Sequence, residues 1–246
     1  MNKIFKKIRR IEEGNWWYVS RLELVNQIVK EFNKKKLKIL DVGCGTGSVM
    51  ESFSKEYDVI GVDSMEQAVR YTSKRGIKVR KGNAKNLPFK KNSFDVVLCL
   101  DILEHIKNDG KVVEEVYKVL KEGGKFIITV SAFNLLWGEA DDLSFHVRRY
   151  AKNTILKLLR DFKIKKCTYW NTTLFFPVLI SRTIGRLTKH LKKPNKPSLY
   201  NLVYTEELSV AKPLNNILTA ILRFENTIIK KTNLPFGISL VVVCEK

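Results

Sequence analysis

Residues 39–50 read ILDVGCGTGSVM, and the three alternate glycines are the tightest constraint on what this chain can become. Gly43, Gly45 and Gly47 can take positive φ and leave bare backbone for a ligand to lie against. The preceding Ile39, Leu40 and Val42 read as a strand buried on both faces, as in a parallel sheet. Thr46 and Ser48 suit the start of a helix. Strand, glycine loop, helix is the arrangement that binds a nucleotide-like ligand at the carboxyl end of a sheet.

The rest of the chain repeats strand–helix units. Strands are expected at 37–42, 57–63, 77–84, 93–101, 121–131, 163–171 and 237–244. Helices are expected at 21–35, up to about Phe53, over 65–76, up to Leu120 and over 151–162. This pattern predicts an α/β fold with a doubly wound, mostly parallel seven-stranded sheet whose late strand pairs antiparallel. The stretch 171–234 is too long for a plain connection and reads as a basic helical cap inserted before the last strand. The organisation is then an N-terminal helical and aromatic lid over 1–36, a core over 37–170, the cap over 171–234, and a final core strand over 235–246.

Charge and cysteine usage narrow the setting. The chain of 246 residues carries a formal charge of +20. Residues 37–130 hold 16 Lys and Arg against 13 Asp and Glu, whereas residues 131–246 hold 19 against 8. The excess sits outside the glycine-loop segment, where it can meet a substrate or a surface, or simply reflect a Lys-rich coding bias. Cys44, Cys99, Cys167 and Cys244 form no CxxC pair, so neither a metal site nor a disulfide framework is expected. The basic opening MNKIFKKIRRIEEG lacks the apolar core of a secretory signal. No apolar run approaches the roughly 18 residues of a membrane span. A cytoplasmic protein, at most peripheral to a membrane, is expected.

A dinucleotide site would want G-x-G-x-x-G, with a glycine where Ser48 stands. The G-x-G-x-G found here does not require a pyrophosphate, and Asp63, closing the second strand, can accept from both ribose hydroxyls. An adenosine without phosphates satisfies both observations.

On these residues the chain resembles the class I S-adenosylmethionine-dependent methyltransferases, over roughly Leu37 to Val130. LDVGCGTG resembles the family's first motif and VIGVDSM its second. GNAKNLPF resembles a third motif, with Asn83 in place of the acid that binds the adenine amino group. SFDVVLCLDILEHI resembles the fourth-strand motif and LKEGGKFII the turn into strand five. The resemblance implies a Rossmann-like methyltransferase fold with S-adenosyl-L-methionine as cofactor. The residues it implies around that cofactor are Asp41, Gly43, Cys44, Gly45, Gly47, Asp63, Ser64, Met65, Asn83, Ala84 and Leu100.

For the reaction, His146 is the preferred base or acceptor-orienting residue, since Asp141, Asp142, Arg148 and Arg149 surround it in DDLSFHVRRY. His105, in LEHI, is the second candidate, and His190 reads as a solvated face. Trp16, Trp17, Tyr18, Trp137, Arg148 and Arg149 are the lid and substrate candidates. The Trp-Trp-Tyr opening and the H-x-R-R-Y after strand five resemble a group of methyltransferases associated with polysaccharide and lipid-linked glycan pathways. That likeness implies a small or lipid-linked acceptor. In the cap, LFFPVLISRTIGRLTKHLKKPNK mingles apolar residues with Arg182, Arg186, Lys189, Lys192 and Lys193, which suits either a helix on an anionic membrane or a cover for the site. Two other readings stay open: an RNA methyltransferase using the basic flanks, and a cofactor-binding protein without catalysis. Against the former, CLDI lacks the Asn/Asp-Pro-Pro-aromatic segment typical of enzymes that methylate base amino groups.

Overall fold

The computed structural model describes residues 2–187 and 210–246, so His190, Pro194, Pro197, Lys189, Lys192 and Lys193 of the cap lie outside the described residues. Seven strands form one sheet in the order β3-β2-β1-β4-β5-β7-β6. They are β1 Lys38–Val42, β2 Asp58–Asp63, β3 Val79–Lys81, β4 Phe94–Leu100, β5 Leu120–Ser131, β6 Lys163–Trp170 and β7 Ser239–Glu245. The first five are parallel, and β7 runs antiparallel between β5 and β6. The mostly parallel seven-stranded sheet expected from the sequence is therefore the one observed.

The helices are α1 Asn2–Gly14, α2 Trp16–Lys30, α3 Ser48–Phe53, α4 Glu66–Ser73, α5 Asp109–Val119, α6 Glu139–Leu143, α7 Lys152–Leu158, α8 Phe175–Leu187 and α9 Lys212–Lys231. The period of two along each strand sorts side chains into two cores. Leu40, Val42, Val97, Cys99, Val242 and Cys244 face one way and meet Val112, Val116 and Ile155 of α5 and α7. Ile39, Val96, Leu98, Val241 and Val243 face the other way and meet Leu24, Val25 and Ile28 of α2 with Leu218, Leu222 and Ile229 of α9. All seven residues of β4 are buried, which explains its unbroken apolar sequence.

Several boundaries differ from the sequence reading. The helix expected at 21–35 begins at Trp16, because the Asn15 side chain caps it by accepting from the Trp17 N–H at 3.0 Å. The helix expected to follow β4 directly is delayed by a 3-10 turn at Leu103–His105, and α5 starts after Asn108, which caps Lys111 N–H at 3.2 Å. Leu120 already belongs to β5, and β3 shrinks to three residues.

The segment read as one cap divides in two. α8 stands at the surface with no buried residue. α9 instead covers the sheet beside α2, because Leu218, Leu222 and Ile229 make an apolar stripe at helical spacing. Its polar anchors are also buried: Trp170 Nε1 donates to Asn226 Oδ1 at 2.9 Å, and Asn226 Nδ2 donates to the Ser20 carbonyl at 2.9 Å. One amide thus ties β6, α9 and α2 together. Asn226→Ala strands a buried indole N–H and a carbonyl, so urea unfolding should show a loss of about 1–3 kcal/mol; an unchanged midpoint would remove that tie from the account.

Candidate functional site

β1 and β4 are neighbours, yet α3 after β1 packs on one face of the sheet and α5 after β4 on the other. A crevice must open between their carboxyl ends. The loop that fills it is nearly all backbone. Gly43 has φ +78°, and a Cβ there would lie 2.2 Å from Ile102 Cδ1. Only glycine fits on both counts.

Asp63, at the end of β2, accepts from Gly45 N–H at 2.9 Å and from Met65 N–H at 2.8 Å. Each carboxylate oxygen is thereby aimed and keeps a lone pair for a ligand. Ser64 and Met65 are exposed beside it, while Asn83 and Ala84 stand two and three residues beyond β3. The Asn83 side-chain oxygen accepts from Lys85 N–H at 2.9 Å, so its first role is to hold its own turn. Cys44 presents backbone to the loop and turns its thiol into the core against Gly61.

Above the loop lies a cavity of about 350 Å³. Its walls include Glu12 of α1, Trp17, Tyr18 and Arg21 of α2, Asp41 and Gly43 to Gly45 of the glycine loop, Leu100 to Ile102, Glu104 and His105 after β4, and Asp141, Ser144, His146, Arg149 and Arg182. Five carboxylates (Glu12, Asp41, Asp101, Glu104, Asp141) face three guanidinium groups, an acidic lining inside a basic chain. Asp41 is 3% exposed, and burial pushes its carboxyl up to about 7, with Arg21 pulling it back and Asp63 and Glu12 adding to the rise. A cationic ligand would relieve that cost.

Polar and charged contacts tie α1 and α2 to the loops around the cavity. Glu12 accepts from the Thr46 hydroxyl of the glycine loop, and Arg9 pairs with Glu51 of α3. Arg21 pairs with Asp101 and lies over the Trp17 ring at 4.7 Å and the Tyr18 ring at 5.4 Å. Asp101 itself sits at φ +55°, which turns the chain sharply off β4.

On the facing wall, His146 Nδ1 is 2.8 Å from Asp141 Oδ1. Asp141 also accepts from Arg149 Nε at 2.7 Å and Gly138 N–H at 2.9 Å. Burial opposes its charge, but the hydrogen bond from His146 and the Arg149 charge win, and its carboxyl falls to about 2. His105 stacks edge-on against His146 at 4.7 Å. Burial, followed by the His146 charge, pushes its imidazole down to about 4, so it is neutral at pH 7.

The structure therefore brings His146, His105, Trp17, Tyr18, Arg149, Asp41 and Leu100 into one cavity. Three lid and substrate candidates lie elsewhere. Trp16 fills the core at 4% exposure. Arg148 pairs with Asp109 and the Lys107 carbonyl, and Trp137 Nε1 donates to Asp142 at 3.0 Å. Sequence reasoning missed Glu12, Arg21, Asp101 and Glu104. Glu104 is fully buried; one oxygen accepts from Ser131 N–H at 2.9 Å and the other, Oε2, has no partner. Burial and then Asp101 push its carboxyl up to about 7. Among the described residues no group of three or more His, Cys, Asp or Glu is placed to hold a metal ion.

A family model described as "Methyltransferase domain" matches residues 40–128, which span β1 to β5 and the glycine loop. An uncharacterized protein of Methanocaldococcus jannaschii is 35% identical over 63% of this chain and 67% of its own length. The uncharacterized methyltransferase YcgJ of Bacillus subtilis is 32% identical over 37% of this chain. Across the first three curated relatives the match spans 67%, 54% and 39% of their lengths. A solved protein of Pyrococcus horikoshii superposes with a TM-score of 0.54 at 26% identity, covering 62% of this chain and 85% of that one. The chain belongs to the class I S-adenosylmethionine-dependent methyltransferase family. The donor set fits that family's cofactor: the glycine loop leaves bare backbone, Asp63 beside it holds two aimed carboxylate oxygens, and buried Asp41 lines the cavity and would gain from a cation.

Two outcomes follow for the free protein. Removing the ribose acid by Asp63→Ala should weaken cofactor binding about 10- to 100-fold by calorimetry; unchanged affinity would misplace the site. Glu104 has a folded-state pKa above its unfolded value, so its contribution is intact below about pH 4.5 and is lost as pH rises through about 7. Glu104→Gln should therefore gain about 1–3 kcal/mol on wild type between pH 5 and pH 8 in parallel melts, and a pH-independent difference would mean that Glu104 is not raised.

Proposed function

We propose that this protein methylates a hydroxyl of a small or lipid-linked acceptor, such as a sugar or lipid, with His146 as the general base. The Asp141–His146 pair supports the reading: both residues line the same cavity as Gly43, Cys44 and Gly45 of the glycine loop. The cofactor, when bound, supplies a methyl group on a positively charged sulfur. The chain must hold the acceptor oxygen in line and take its proton.

Holding in line is what the enclosed wall of Trp17, Tyr18, Arg149 and Arg182 does, and such positioning is worth roughly 7–11 kcal/mol in the best cases. For the proton, His146 offers Nε2, since Nδ1 is committed to Asp141. Asp141 remains ionised far below neutral pH, so it fixes the tautomer and steadies the imidazolium once the proton arrives. His105, neutral, packs the ring in place without competing charge. The acceptor is read as amphiphilic because α8, whose Arg182 lines the cavity, carries exposed apolar side chains on its outer side.

The test is methyl transfer from labelled cofactor into a cell extract split into lipid, glycan and RNA fractions, with His146→Ala and Asp141→Asn run beside the wild type. Turnover of label into lipid or glycan should fall about 10²–10⁴-fold in His146→Ala with cofactor affinity intact. Full activity in His146→Ala, or label in RNA alone, would sink this reading.

A further inference from the structure

α8 has two faces with different neighbours. At 100° per residue, Phe176, Ile180, Ile184 and Leu187 fall within about 80° of one another, while Arg182 and Arg186 lie on the far side. The arginine side faces the protein: Arg182 packs over Gly138 and lines the cavity, and Arg186 Nη2 donates to the Leu135 carbonyl at 2.7 Å. The other side faces out, with exposures of 58%, 59%, 55% and 68% for Phe176, Ile180, Ile184 and Leu187. Leu135, beneath the same helix, is 56% exposed. A helix that turns its arginines toward the protein and shows its apolar stripe inverts the order expected of a helix facing water.

Charge identifies what would cover the stripe. The sequence directly after α8, TKHLKKPNK over 188–196, carries four lysines and no acid, and residues 131–246 hold 19 Lys and Arg against 8 Asp and Glu. An exposed apolar stripe in a chain segment with this excess of lysines suits an anionic bilayer, into whose acyl boundary the stripe can sink. No described helix is long and apolar enough to cross a membrane, so the contact would be peripheral.

We infer that α8 docks the protein on an anionic phospholipid surface through Phe176, Ile180, Ile184 and Leu187, which leaves its Arg182 side turned to the cavity. Arg182 spans the distance between the two, reaching from the docked helix to the wall that holds His146. The inference extends the proposed reaction to its surroundings and rests on that reading only for its purpose. An acceptor anchored in the bilayer would then enter without leaving it.

The experiment is flotation of the full chain with vesicles of phosphatidylcholine alone or with about one third phosphatidylglycerol, against the double variant Ile180→Glu/Leu187→Glu. Both positions are exposed, so the variant should keep its melting temperature and its cofactor affinity. Wild type should bind the anionic vesicles at least tenfold more tightly than the neutral ones, and the variant should lose at least tenfold. Equal binding of variant and wild type would show that lysines alone hold the surface, and would overturn the docking. So would a wild type that binds neither vesicle, including one whose stripe is covered by a second copy in light scattering. The assay uses no acceptor and no turnover, so its failure leaves the methylation reading standing, and the reverse holds.

Discussion

Everything in this molecule is arranged around the gap between the carboxyl ends of β1 and β4. Two parallel strands lie side by side, and the chain leaves them for opposite faces of the sheet. The loop that borders this crevice takes positive φ at Gly43, Gly45 and Gly47, which is why it is glycine at three alternate positions. The two cores hold the strands in register, and the register puts Asp41 and Leu100 at the rim. α1 and α2 then add Glu12, Trp17, Tyr18 and Arg21 to the cavity's walls.

Inside that enclosure the electrostatics run against those of the protein as a whole. A chain with 45 Lys and Arg presents five carboxylates to its cavity. Those with a fixed partner stay charged, as Asp141 does beside Arg149 and His146. Those without one drift toward neutrality, as Asp41 and Glu104 do under burial. Such a lining favours a cation, and the family's cofactor carries its charge on sulfur. Burial likewise holds His105 neutral.

The long connection between β6 and β7 shows how one composition can serve two ends. α9 turns its apolar stripe inward and becomes part of the sheet's cover, locked by Asn226 and Glu225. α8, of similar apolar content, turns its stripe outward and its arginines inward. Nothing in their sequences separates the two cases, because a helical stripe records a periodicity and does not say what it meets.

The sequence by itself determined the sheet, the crevice and the cofactor. Seven apolar runs, the G-x-G-x-G loop and Asp63 after strand two are local patterns, each set by the conformational needs of a few neighbouring residues. What only the tertiary structure decided is which side chains share the cavity. Asp101 and Asp141 are forty residues apart, and Glu12 and Arg21 come from helices whose sequence shows only an amphipathic pattern. The adjacent Trp16 and Trp17 look alike on paper, yet a helix turns successive residues by about 100°, so one enters the core and the other the cavity wall. Arg148 and Arg149 divide in the same way, one buttressing Asp109 and the other holding Asp141. Spacing along the chain writes out the frame; long-range packing chooses which charged groups meet inside it.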